Sequence, residues 1–122
     1  MGNILRFMFN KKEKIIMFVK DEWTQKEFLT NKMHLEKEGI KVVLIDTILK
    51  PIANVETLIY NPYEMQTYPE GTVFVFYCDT GKNTFERLNY YKNKFPKYKC
   101  ISLRGGRGYY RANLTIMDDI NE

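Results

Sequence analysis

Cys78 ends the uninterrupted β-branched and aromatic run Thr72-Val73-Phe74-Val75-Phe76-Tyr77, and a polar loop, Asp79-Thr80-Gly81-Lys82-Asn83-Thr84, follows it before a helical pattern begins. Apolar runs bounded by turn signals read as buried strands. A thiol between the carboxyl end of a strand and the amino end of the next helix lies where open α/β sheets place their ligands. Loop N–H groups and a helix N-terminus there favour the thiolate, which is the reactive form of cysteine. The competing account is packing, because free cysteines are among the most buried residues and behave as small hydrophobes. The polar loop directly after Cys78 favours chemistry.

The other chemically capable residues are few. Cys100 stands among apolar neighbours and reads as core, and His34 is the only histidine. His34 falls within a helical pattern, where solvation or packing accounts for it. No C-x-x-C pair is present, so zinc ligation lacks its usual donors, and neither a metal nor a cofactor is expected. With two cysteines and no secretory signal pattern, reduced thiols and a cytoplasmic location are expected. The chain has 122 residues and a formal charge of +4, which suits one domain with one core. Its lysines are scattered, as on solvated helix faces, and no apolar run is long enough to span a bilayer.

These residues must be held by elements that the pattern outlines. Ile15 to Val19 reads as a strand, with Asp21 capping a helix from Trp23 to about Glu38 that Gly39 stops. Lys41 to Thr47 is a second continuous apolar run, as in a parallel strand buried on both faces. Leu58-Ile59-Tyr60 reads as a short strand and Asn61-Pro62-Tyr63-Glu64 as a turn or helix start, with a further turn at Pro69-Glu70-Gly71. After the cysteine loop, Phe85, Leu88, Tyr91 and Phe95 recur at helical spacing as a core stripe, and Pro96 ends that helix. Tyr98 to Leu103 is the next strand, and Tyr109 to Leu114 a final short helix. The order predicts a single α/β domain over residues 15–114 with a mainly parallel central sheet flanked by helices. Residues 1–14 are read as an N-terminal extension, in preference to an interfacial anchor at Asn3 to Phe9, and residues 115–122 as an acidic tail. The strands near Val42–Ile45, Val73–Tyr77 and Lys99–Leu103 are expected to be neighbours.

Together these pieces resemble the rhodanese domain. The resemblance rests on a strand followed by Cys78-x-x-Gly81-x-x-Thr84 and a helix. It continues in a strand ending Leu103-x-Gly105-Gly106, with Tyr109 or Tyr110 near the family's aromatic position. Leu44-Ile45-Asp46 is similar to the family's aspartate-ended strand. The resemblance implies a sulfurtransferase or persulfide carrier in which Cys78 relays sulfane sulfur to a thiophilic acceptor. It implies a binding loop of Asp79, Thr80, Gly81, Lys82, Asn83 and Thr84. The partners it implies are a small sulfur-containing donor or a protein persulfide, with an acceptor protein.

Several positions depart from the family pattern. Asn83 stands where an arginine is common, Asp79 puts a negative charge beside the thiol, and Thr47 follows Asp46 in place of Val-Arg. The Gly-His-x-x-Gly signature is missing as well. Thiosulfate is therefore expected to be a poor donor. A catalytically degenerate rhodanese-like binding or regulatory module is the alternative reading. A cysteine phosphatase or arsenate reductase needs an arginine fork six residues after the cysteine, and Thr84 occupies that position. Arg104-Gly105-Gly106-Arg107-Gly108 reads as a glycine turn beside the cysteine loop in preference to an RNA contact, so nucleic acid is not expected as a partner.

Overall fold

The computed structural model describes residues 17–111. The proposed N-terminal extension, the Ile15-Ile16 half of the first expected strand, the far end of the final helix and the acidic tail lie outside the described residues. Within them the elements are β1 (Glu22–Trp23), α1 (Gln25–Lys37), β2 (Val42–Asp46), β3 (Thr57–Ile59), α2 (Pro62–Met65), β4 (Val73–Tyr77), α3 (Lys82–Glu86), α4 (Leu88–Lys94) and β5 (Lys99–Leu103). The five strands form one sheet in the order β1-β5-β4-β2-β3, and every pairing is parallel.

The three strands expected to be neighbours are adjacent, with β4 between β2 and β5. Val42 to Asp46 pair residue by residue with Val73 to Tyr77, and Val73 to Phe76 with Lys99 to Ser102. All five residues of β4 are buried, which explains a run without polar alternation. The period of two divides its side chains between the layers. Val73, Val75 and Tyr77 join Trp23 and the α1 residues Phe28 and Leu35, and Phe74 and Phe76 join Met65, Leu88, Tyr91, Phe95 and Cys100. The second layer is mainly aromatic: the Phe76 and Tyr91 rings are parallel within 1° at 4.0 Å, and Phe74 meets Tyr98 at 4.8 Å.

Five expectations need correcting. Residues 17–19 are helical where a strand was expected, and Trp23 lies in β1 with α1 starting only at Gln25. The cap is Thr24, not Asp21: Thr24 Oγ1 accepts the Glu27 N–H at 3.2 Å while Glu27 Oε1 accepts the Thr24 N–H at 3.0 Å. The Trp23 indole donates to the Met17 carbonyl at 3.1 Å, which ties the preceding helical segment to the edge strand. Phe85 is 43% exposed and leaves the expected core stripe. The helix is broken at Arg87, so the stripe starts in phase only at Leu88. Residues 109–111 are not helical. The Gln25 side chain instead grips the Arg111 backbone, donating to its carbonyl at 2.8 Å and accepting its N–H at 2.9 Å.

The Phe76–Tyr91 stack at the centre of the sheet carries a testable consequence. Phe76→Ala should lower the unfolding free energy by ~3–5 kcal/mol. Tyr63→Ala, at an 89% exposed side chain, should change it by less than ~0.5 kcal/mol. Urea unfolding followed by circular dichroism measures both.

Candidate functional site

Cys78 follows β4 directly, at the carboxyl edge of the sheet. Two polypeptide segments meet behind it. The chain leaving β5 turns through Gly105 and Gly106, both at positive φ (81° and 58°), and folds back onto the cysteine loop. There the Arg107 N–H donates to the Cys78 carbonyl and the Gly108 N–H to the Asp79 carbonyl, each at 2.8 Å. The approach is too close for side chains. A Cβ on Gly106 would lie 2.4 Å from the Cys78 carbonyl oxygen, and one on Gly81 would lie 2.8 Å from the Gly105 nitrogen. The Arg104–Gly108 segment is thus a backing clamp for the loop, as its glycines suggested.

With its carbonyls engaged behind, the loop turns amides toward the sulfur. Gly81, at φ 87°, donates its N–H to Cys78 Sγ at 3.2 Å. Thr84 Oγ1 lies 3.7 Å from Sγ, 2.7 Å from Ser102 Oγ and 3.3 Å from the Gly81 carbonyl oxygen. Cys78 is only 2% exposed, and that burial by itself pushes its pKa up. The Thr84 amide and hydroxyl and the amides of Gly81 and Thr80 pull the other way and leave the thiol below its ordinary value. Because α3 has five residues, these separate donors carry the effect more than a helix dipole does.

Of the loop residues singled out from sequence, Gly81 and Thr84 are buried against the sulfur, and Thr80 contributes its amide. Thr80 Oγ1 accepts the Lys82 N–H at 3.3 Å, which tightens the turn. Asp79, Lys82 and Asn83 are exposed, and the groups at the sulfur are those of Thr84, Gly81 and Thr80 instead. Ser102 was not foreseen as a site residue. Its signal was one hydroxyl in the otherwise apolar Cys100–Leu103 segment, and its role is to hold Thr84. Thr47 is a second such residue: its hydroxyl donates to the Tyr77 carbonyl at 2.8 Å and pins the end of β4.

Cys100 is the contrast. It lies in β5 within the aromatic layer, and burial pushes its thiol up to about 12, with Lys92 offsetting only part of the rise. It is a packing residue. Among the described residues no cluster of three or more His, Cys, Asp or Glu side chains could hold a metal ion, and no helix is long and apolar enough to cross a membrane. No protein-family model, curated protein or solved structure matches the chain.

This geometry leads to three predictions. The pH profile of Cys78 alkylation by iodoacetamide should have its midpoint below the ~8.5 of a free thiol, and Thr84→Val should move it upward. Gly106→Ala should cost more than Gly39→Ala, where a Cβ meets nothing within 4 Å and only the left-handed backbone term of ~1–2 kcal/mol applies. Cys100 sets an alkaline limit of its own. Its folded pKa is raised, so its contribution to stability is whole below ~8.5 and is lost as pH rises toward about 12. Cys100→Ala should flatten that alkaline decline in unfolding free energy.

Proposed function

We propose that the protein is a rhodanese-like sulfurtransferase or persulfide carrier with Cys78 as the sulfur-bearing nucleophile. The observation that carries this reading is the arrangement around one sulfur atom: the Gly81 amide at 3.2 Å, the Thr84 hydroxyl at 3.7 Å, and a thiol below its ordinary pKa in spite of burial. A nest of N–H groups stabilises an anionic sulfur without a metal. It serves the thiolate before the reaction and the persulfide anion after it. The loop pattern Cys78-x-x-Gly81-x-x-Thr84 and the glycine pair Gly105-Gly106 that clamps it support the same reading.

In the forward half-reaction the Cys78 thiolate attacks the outer sulfur of a donor R–S–SH. The donor's S–S bond breaks, R–S⁻ leaves with the bonding electron pair, and Cys78 carries the persulfide. In the return half-reaction an acceptor thiolate attacks that outer sulfur and Cys78 is released as thiolate. Neither step needs an oxidant or a cofactor. Both fit a cytoplasmic protein whose partners are a small sulfur donor or a protein persulfide and an acceptor protein. Thiosulfate is the poorer donor, because its two negative charges meet exposed Asp79 with Asn83 in place of a guanidinium fork.

Mass spectrometry after incubation with a persulfide donor should show a gain of one sulfur atom, on Cys78, and Cys78→Ser should abolish it. Transfer that survives this substitution overturns the mechanism. A native protein that never takes up sulfur is instead the degenerate binding module. Asn83→Arg should raise thiosulfate turnover by about tenfold, the worth of one charge-assisted hydrogen bond of ~1.5 kcal/mol.

A further inference from the structure

Two buried hydroxyls at the site share their protons among more acceptors than they can serve at once. Thr84 Oγ1 lies 3.7 Å from Cys78 Sγ, 2.7 Å from Ser102 Oγ and 3.3 Å from the Gly81 carbonyl oxygen. Ser102 Oγ lies 3.5 Å from that same carbonyl. Cys78, Thr84 and Ser102 are all buried, so the protons must be placed within this group. The titratable side chains of the loop, α3, α4, β5 and the clamp, Asp79, Lys82, Glu86, Arg87, Tyr91 and Cys100 among them, hydrogen-bond to neither hydroxyl. A hydroxyl has one proton and two lone pairs, and the 2.7 Å contact holds one proton between its two oxygens. When Cys78 is a thiolate, the sulfur takes the Thr84 proton, and the proton between the oxygens then comes from Ser102. When Cys78 is a thiol, its S–H donates to Thr84 Oγ1 and the Thr84 proton turns to the Gly81 carbonyl, which is nearer to Thr84 than to Ser102. Every proton has an acceptor in both states, and only the Thr84 hydroxyl rotates.

We propose that Ser102 is a positioning residue for the sulfur: its hydroxyl donates to Thr84 Oγ1 and so commits the Thr84 proton to Cys78 Sγ whenever the sulfur is anionic. A donor that itself accepts a hydrogen bond is strengthened by it, above all in a low-dielectric interior. The relay serves any chemistry that passes through the thiolate. Its place in the cycle rests on the sulfur-transfer reading of Cys78. In the return half-reaction the bond between Sγ and the outer sulfur breaks and its electron pair stays on Sγ. The Thr84 proton then turns from the Gly81 carbonyl to the new charge, while Ser102 holds the oxygen in place.

The test follows Cys78 alkylation by iodoacetamide against pH, with the labelled residue identified by mass spectrometry. It compares native protein, Ser102→Ala, Ser102→Thr, Thr84→Val and the double variant Ser102→Ala with Thr84→Val. Thr84→Val should raise the midpoint by about one pH unit, the worth of one hydrogen bond to a charged group. Ser102→Ala should raise it by about 0.3 unit, the upper end of what one hydrogen bond adds to the next in a chain. Ser102→Thr, which keeps the hydroxyl, should restore the native midpoint. In the Thr84→Val background Ser102→Ala should add nothing, because its effect passes through Thr84. An equal rise in both backgrounds, no rise in either, or a rise that Ser102→Thr does not reverse overturns the relay. A second readout needs no variant: the Cβ resonances of Thr84 and Ser102 in the native protein should both move at the Cys78 midpoint, and a Ser102 resonance that stays fixed overturns the proposal as well. A relay found by these readouts in a protein that never gains sulfur stands, and the sulfur-transfer reading falls.

Discussion

The site depends on a contact between two backbones. The segment after β5 lies against the loop after β4 so closely that Gly81 and Gly106 leave no room for a Cβ, and the amides of Arg107 and Gly108 take the carbonyls of Cys78 and Asp79. A peptide loop has donors and acceptors in equal number, and both need partners when buried. Engaging the carbonyls from behind releases the amides of Thr80, Gly81 and Thr84 to face one sulfur. The strand order makes this possible, because β4 and β5 are neighbours and both run toward the same edge.

The two cysteines show how much this matters. Cys78 is 2% exposed and Cys100 4%, yet their thiols move in opposite directions from the ordinary value. Burial acts on both. The difference is where the nearby amides are spent. In the middle of β5 they belong to the parallel ladder with β4, and none is left for sulfur. In the loop the ladder has ended. Reactivity here is a property of position in the fold, decided by hydrogen bonds that the backbone has or has not already made.

Much of this was legible in the sequence, for identifiable reasons. The runs at Val42–Asp46 and Val73–Tyr77 lack alternation because both faces are covered, and that pattern names a parallel sheet directly. Cys78, Gly81, Thr84 and the glycine turn were visible because their spacing is local. The errors lie where a distant partner decides. β1 has two residues, too few for any period, and Trp23 is a strand residue because Ser102 and Leu103 pair beside it. Phe85 fitted the helical stripe, but the turn at Arg87 shifts the phase. Ser102 gained meaning only when β5 brought its hydroxyl to Thr84. Residues 109–111 leave a turn without entering a helix, and Gln25, far away in sequence, holds Arg111.

The amides that face the sulfur carry no side-chain identity, and the exposed residues Asp79, Lys82 and Asn83 contribute to the loop through their backbones, by the Asp79 and Asn83 carbonyls and the Lys82 N–H. The setting of the thiol and the charge of the loop's outer face are therefore separable under mutation. Substitutions confined to those positions change the charge of the loop's outer face without removing a group that holds the sulfur. The inner set, Gly81, Thr84, Ser102 and Gly106, admits no such drift. Evolvability in this fold runs along the outside of a single loop.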